Sequence, residues 1–169
     1  DRDSHVGSLR FHRDRHAGAQ VWVVDMGMIP TIDPQNIPGG HLLKVSKIGA
    51  GTASFLHGPA MTRPQAEAAV IAGFNHAAEL FQAGVQVLGT GDMGIANTTP
   101  SAAIGAAITG QALDDMVGRG TGIGDKALAR KKEVIAQGIA LNRPDPKDGL
   151  DVLAKLGGFE IGGIAGLIL

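Results

Sequence analysis

The chain has 169 residues, with 15 Lys and Arg against 16 Asp and Glu, a net charge of −1 and no cysteine. One domain is the expectation for this length, and a near-zero charge supplies no field to gather nucleic acid or an anionic membrane. The missing thiols exclude disulfides, thiolate catalysis and Cys-ligated zinc or iron–sulfur centres.

Residues 1–18, "DRDSHVGSLRFHRDRHAG", carry charge and histidine without a sustained apolar period. They form an N-terminal segment of uncertain character. His12 and His16 would share a helix face at metal-compatible spacing, but no third ligand is near, so no metal is expected. "VWVVDMG", residues 21–27, is a β-branched apolar run that reads as a strand buried on both faces, as in a parallel sheet. Asp25 near its end is either a site residue or a turn-initiating aspartate. Residues 29–61, punctuated by Pro30, Pro34, Pro38 and several glycines, read as a long connection.

A helix then starts at Thr62, the N-cap of a capping box closed by Gln65. Ala66, Ala69, Val70, Phe74, Ala77, Ala78 and Phe81 recur at helical spacing, and Gly84 supplies a left-handed stop. "VQVLGT", residues 85–90, reads as a short strand. Thr99 and Pro100 read as N-cap and first residue of an alanine-rich helix that Gly110 ends. After a second glycine loop, "VGRGTGIGDK", a helix is predicted from Asp125 to Ile139, burying Leu128, Val134, Ile135 and Ile139. "LDVLAKLGG" reads as a short helix, and "FEIGGIAGLIL" as a helix or buried strand. The order is that of an α/β protein.

The first glycine loop, "GTGDMGIANTTPSAAIGAAITG", has the outline G-x-G-x-x-G. A dinucleotide site needs a helix opening directly from those glycines and an acid at the end of a following strand. Here "IANTT" intervenes, Asp114 and Asp115 follow no convincing strand, and Asp92 puts a carboxylate where phosphates would sit. "LDDMVGRGTG" also echoes the acid pair and phosphate loop of diphosphoribosyl-using transferases, but the apolar strand before the acids is missing. The remaining reading is a monophosphate and ribose site built from two glycine loops. Backbone N–H groups supply anion nests, Thr98, Thr99 and Thr121 supply hydroxyls, and Lys131 supplies the countercharge.

"GDMGIANTTPSAA", "VGRGTG" and "LARKKEV", flanked by "GTASFLHGPAMT" and "VLAKLGGFEIGGIAG", resemble in order and spacing the nicotinate-nucleotide–dimethylbenzimidazole phosphoribosyltransferase family over about Ala19 to Leu169. The resemblance implies an α/β fold, a Rossmann-like parallel sheet with flanking helices, as the core of a larger domain. Residues 19–169 would be that nucleotide-binding core, incomplete at its C-terminal end. It implies transfer of phosphoribose from nicotinate mononucleotide to 5,6-dimethylbenzimidazole, giving α-ribazole phosphate and nicotinate for cobalamin assembly. Carried over by position, Asp92, Gly94, Asn97, Thr98, Gly120, Thr121 and Lys131 would hold the nucleotide and its phosphate.

The family usually has glutamate where Asp92 stands and glycine where Ala96 stands. Its catalytic base is a glutamate in a glycine-rich stretch that this sequence does not contain, so the catalytic residue is unknown and this chain alone is expected to be inactive. Glu160 reads as a structural hydrogen-bonding residue instead. A cytoplasmic homodimer acting on small molecules, with no cofactor, nucleic acid or membrane partner, is the family expectation. The alternatives are a non-catalytic nucleotide-binding fragment of the same fold and an NAD-dependent oxidoreductase.

Overall fold

The computed structural model describes residues 19–36, 42–92, 94, 96–119 and 122–169. Two three-residue strands, β1 (Val23–Asp25) and β2 (Leu43–Val45), pair in parallel with Val23 opposite Leu43 and Asp25 opposite Val45. A 3₁₀ turn, Pro34–Asn36, lies on the connection between them. Among the described residues six helices follow: α1 (Arg63–Gln82), α2 (Thr98–Thr109), α3 (Leu113–Met116), α4 (Asp125–Asn142), α5 (Gly149–Leu156) and α6 (Phe159–Ile168). The fold is α/β, a parallel strand pair flanked by helices.

β2 falls inside the stretch read from sequence as a long connection. The prolines and glycines around it dominate the local signal, whereas "LKV" becomes a strand because β1 offers it a partner. The ladder continues beyond the strands, with Ser46 and Ile48 N–H donating to the Asp25 and Met26 carbonyls at 2.9 Å each. Conversely, residues 85–90 form no strand: no ladder partner reaches them among the described residues, and Val87 stands 85% exposed. β-branched composition favours an extended chain, but a strand exists only where another edge pairs with it.

Thr62 caps α1 as predicted: its hydroxyl accepts from Gln65 N–H and the Gln65 side chain accepts from Thr62 N–H. The helix ends on Gly84 at φ 91°, with Gly84 N–H bonded to Phe81 O and Val85 N–H to Leu80 O. This is the Schellman arrangement, which satisfies the last carbonyls. α2 starts two residues earlier than predicted, with Asn97 as N-cap, so Pro100 sits within the first turn, where its missing N–H costs nothing. α4 runs three residues past Ile139. Asn142 extends it by donating to the carbonyls of Gly138 and Phe55 at 2.8 and 2.7 Å.

Two apolar clusters hold the helices. One joins Met26, Met61, Ala66, Ala69, Leu153, Ala154 and Phe159. The other joins Ala102, Ala103, Val117, Ile135, Val152 and Leu156. α5 supplies residues to both, so this eight-residue helix ties the α1–α6 half to the α2–α4 half. Its own start is fixed by Asp148, which accepts from the N–H groups of Leu150 and Asp151 and pairs with Arg63 at 2.6 Å.

α1 and α6 meet almost backbone to backbone. A methyl placed on Gly73 would overlap the Gly163 carbonyl, and one on Gly166 would overlap the Val70 carbonyl. This approach corrects the predicted buried face of α1. Phe74 and Phe81 remain about half exposed, while Gly73 and His76 are buried; at Phe74 no aromatic ring fits, because the two helices touch there through their main chains.

Candidate nucleotide site

The first glycine loop turns on Asp92. Its Oδ1 accepts from Gly94 N–H at 3.0 Å, and Gly94 sits at φ 71°, in the left-handed region that favours glycine. Ala96 follows at φ 66°, the position where the family resemblance implies glycine. A β-carbon in that region is strained, by about 1–2 kcal/mol. Asn97 then closes the loop. It is 5% exposed, it makes no side-chain capping bond to α2, and its Oδ1 has no hydrogen-bond partner among the described residues.

α2 opens at Thr98, and α4 reaches back to it. Lys131 Nζ donates to Thr98 Oγ1 at 3.0 Å and to Gly118 O at 3.4 Å. One ammonium therefore bridges the start of α2 and the beginning of the second glycine loop. Neither contact neutralises it. Three neighbouring basic groups are engaged: Arg119 pairs with Asp125, Arg130 with Glu133, and Lys132 with Asp114. The N–H groups of the first turn of α2 carry the positive end of the helix dipole, so an anion beside Lys131 and Thr98 would find both a formal charge and unsatisfied donors.

Of the residues singled out from sequence, Asp92, Gly94, Asn97 and Thr98 lie on one loop and helix start, and Lys131 meets them through Thr98. Gly120 and Thr121 lie outside the described residues, as do His12 and His16. Asp25 makes the turn contacts that are one of its two readings. It is 3% exposed, its Oδ1 accepts from Gly27 and Met28 N–H at 3.0 and 2.8 Å, and Lys47 lies 3.5 Å from Oδ2. Asp114 and Asp115 occupy the single turn of α3, and Lys132 holds the Asp114 carboxyl below its ordinary range. Neither ends a strand, the place where a dinucleotide site puts its ribose acid.

The sequence reading did not place Glu160 beside the loop. Burial pushes its carboxyl above the usual range. A bond from its own backbone N–H works against that shift, and the nearby charge of Asp92 adds to it. The backbone bond agrees with the structural role read from sequence, while the reach of Asp92 brings the start of α6 within electrostatic range of the first loop. No signal in "GGFEIGG" alone carries that proximity.

A separate open cavity of about 550 Å³ lies at the start of α1, lined among others by Ala53, Met61, Thr62, Gln65, Lys155 and Phe159. It shares no lining residue with the loop set. No group of three or more His, Asp or Glu placed to hold a metal occurs among the described residues, and no described helix is long and apolar enough to cross a membrane.

A phosphoribosyltransferase family model matches residues 14–169. Nicotinate-nucleotide–dimethylbenzimidazole phosphoribosyltransferases from Roseiflexus sp. (strain RS-1) and Geobacter sulfurreducens are each 56% identical over 155 residues, 92% of this chain and 42% and 43% of the relatives. The crystal structure of CobT from Thermus thermophilus superposes with a TM-score of 0.79 at 41% identity, over 89% of this chain and 44% of that one. The chain therefore spans less than half the length of the relatives it matches. With the glycine loops, the lysine bridge and the helix order all on the matched segment, the chain belongs to the nicotinate-nucleotide–dimethylbenzimidazole phosphoribosyltransferase family.

Proposed function

We propose that this chain is the nucleotide-binding core of an enzyme that transfers phosphoribose from nicotinate mononucleotide to 5,6-dimethylbenzimidazole, releasing nicotinate and forming α-ribazole 5′-phosphate. The observation that carries the reading is the Lys131–Thr98–Gly118 bridge, an ammonium held by neutral oxygens between a helix start and a glycine loop. It supports a 5′-phosphate seated at the start of α2. Asn97 Oδ1, buried and without a hydrogen-bond partner among the described residues, is the acceptor proposed for a ribose hydroxyl, and Asp92 is the charge proposed beside the sugar.

The chemistry suits such a site. The leaving pyridinium is already cationic and departs as a neutral ring, so no general acid is required there. Positive charge grows at C1′ as the glycosidic bond breaks, and the Asp92 carboxylate can stabilise it. Attack by the benzimidazole nitrogen from the opposite face inverts the anomeric centre. That nitrogen heterocycle must then lose a proton to a base. None of the site residues is assigned that role, so the proposed share of this chain is binding and orientation. Action as a homodimer in the cytoplasm is part of the same proposal.

Titration calorimetry with nicotinate mononucleotide tests it. Wild type binds saturably, and Lys131→Ala binds about ten- to a hundredfold more weakly, the loss of a charged hydrogen bond. Equal affinity of the two proteins removes the phosphate assignment. Saturable binding of NAD with contacts at Asp114 or Asp115 would favour an oxidoreductase instead.

A further inference from the structure

His76 is buried in the middle of α1 at 6% exposure, and neither ring nitrogen has a hydrogen-bond partner among the described residues. A polar ring in that position is costly unless something else decides its charge state. Its Nδ1 lies 3.6 Å from Glu79 Oε2, close enough for an ion pair if the ring is protonated but outside hydrogen-bond distance. That same oxygen is held by Lys44 Nζ, which projects from β2. One carboxylate thus stands between a cation that ties the strand to the helix and a ring that can become a competing cation.

We propose that His76, Glu79 and Lys44 form a proton-operated latch between α1 and β2, closed while the imidazole is neutral and opened when a proton on His76 claims the Glu79 carboxylate. Few other groups are placed to interfere. Among the elements packed on α1, α6 carries only Glu160, and α5 carries Asp151 and Lys155, which pair with each other at 2.8 Å. On β1, Asp25 is engaged by Lys47. Among the described residues, Lys44 and Glu79 are the charged groups that act on the imidazole.

The sign follows from the surroundings. Burial first, and Lys44 second, hold the ring below its ordinary value of 6.5, with Glu79 opposing them. A histidine so depressed favours the closed state fully above 6.5, and the preference is lost as pH falls from there through the lowered value. Glu79 itself is held below its ordinary 4.5 by Lys44, so it stays ionised across that window. What opens is local. β2 has three residues and its ladder to β1 is short, so loss of the Lys44 tether acts first on the strand pair, and the second apolar cluster, which takes no residue from either strand, lies apart from it.

Two measurements on the whole chain test this. The His76 ring proton, followed by nuclear magnetic resonance, should titrate below 6.5 in wild type, higher in Lys44→Met, which removes the repelling cation and frees the carboxylate, and lower still in Glu79→Gln. Amide exchange of β1, β2, Ser46 and Ile48, corrected for intrinsic rates, should lose protection between about pH 7.5 and pH 5, by up to about tenfold for each unit of the depression that Lys44 causes, since local opening leaves the ring buried in α1. His76→Gln should abolish that loss, while amides buried in α4 and α5 keep their protection throughout. A wild-type midpoint at or above 6.5 overturns the latch. So do midpoints that ignore Lys44→Met, or strand amides in His76→Gln that weaken with acid as wild type does.

Discussion

Lys131 Nζ and Thr98 Oγ1 lie 3.0 Å apart although 33 positions separate them in the chain. The contact links the middle of α4 to the first residue of α2. It also leaves the lysine charge uncompensated among the described residues, since both of its acceptors are neutral oxygens. Thr98→Val removes the orienting hydroxyl but keeps the charge. Affinity for nicotinate mononucleotide should therefore fall by only about two- to tenfold, the range of one neutral hydrogen bond, and its weakening by salt should persist. In Lys131→Ala the salt dependence itself should shrink. Calorimetry at two ionic strengths separates the two effects.

The α1–α6 contact makes a sharper stability prediction. Alanine at Gly73 or Gly166 drives a methyl into a facing carbonyl oxygen, and backbone cannot step aside as a side chain can. Each should cost about 3 kcal/mol or more. Alanine at Gly105 meets only the terminal methyl of Met116, which can swing away, so about 1 kcal/mol or less is expected there. Urea denaturation of the three variants should give this order, and a Gly105→Ala loss equal to that of Gly166→Ala would contradict the packing described.

Ala96 is held at φ 66° in the site loop. Glycine removes the steric cost but adds freedom to the unfolded chain, so Ala96→Gly should raise stability by a net amount of roughly 0.5 kcal/mol. The thermal midpoint would report it, and a fall would show that the loop does not carry this strain.

Two carboxylates give acid limbs of opposite sign. Asp148 is held below its ordinary 3.8, first by Arg63 and then by backbone N–H groups at the start of α5. Its contribution is present above 3.8 and lost as pH falls through the lowered value. Glu160 is raised above its ordinary 4.5 by burial, so it favours folding below that value, and the advantage is lost as pH rises through the raised one. Asp148→Ala should therefore flatten the acid limb of a denaturant-midpoint profile, while Glu160→Gln should raise the midpoint at neutral pH. The two changes should be separable in one pH series.

Local sequence is enough for α1, α2, α4 and α5 and for several of their caps, whereas it does not mark α3 and reads α6 as either helix or buried strand. Thr62 with Gln65, Gly84 and Gly110 act through bonds to neighbours within a few residues, so short-range order specifies them. The family was legible too, because five ordered blocks survive any uncertainty about where strands fall. Strand pairing and the buried faces depended on long-range packing. "VQVLGT" has the composition of a strand and remains unpaired among the described residues, whereas "LKV" is a strand, because pairing depends on which edge is available. Phe74 has core periodicity yet stays half exposed, because the backbone of α6 meets α1 at that turn, and Phe81 is half exposed as well. The electrostatics were settled in the same way. The sequence groups Thr98 and Lys131 as hydroxyl and countercharge, but their direct contact, the influence of Asp92 on Glu160, and His76 beside a carboxylate claimed by Lys44 are arrangements that the folded chain creates between distant segments.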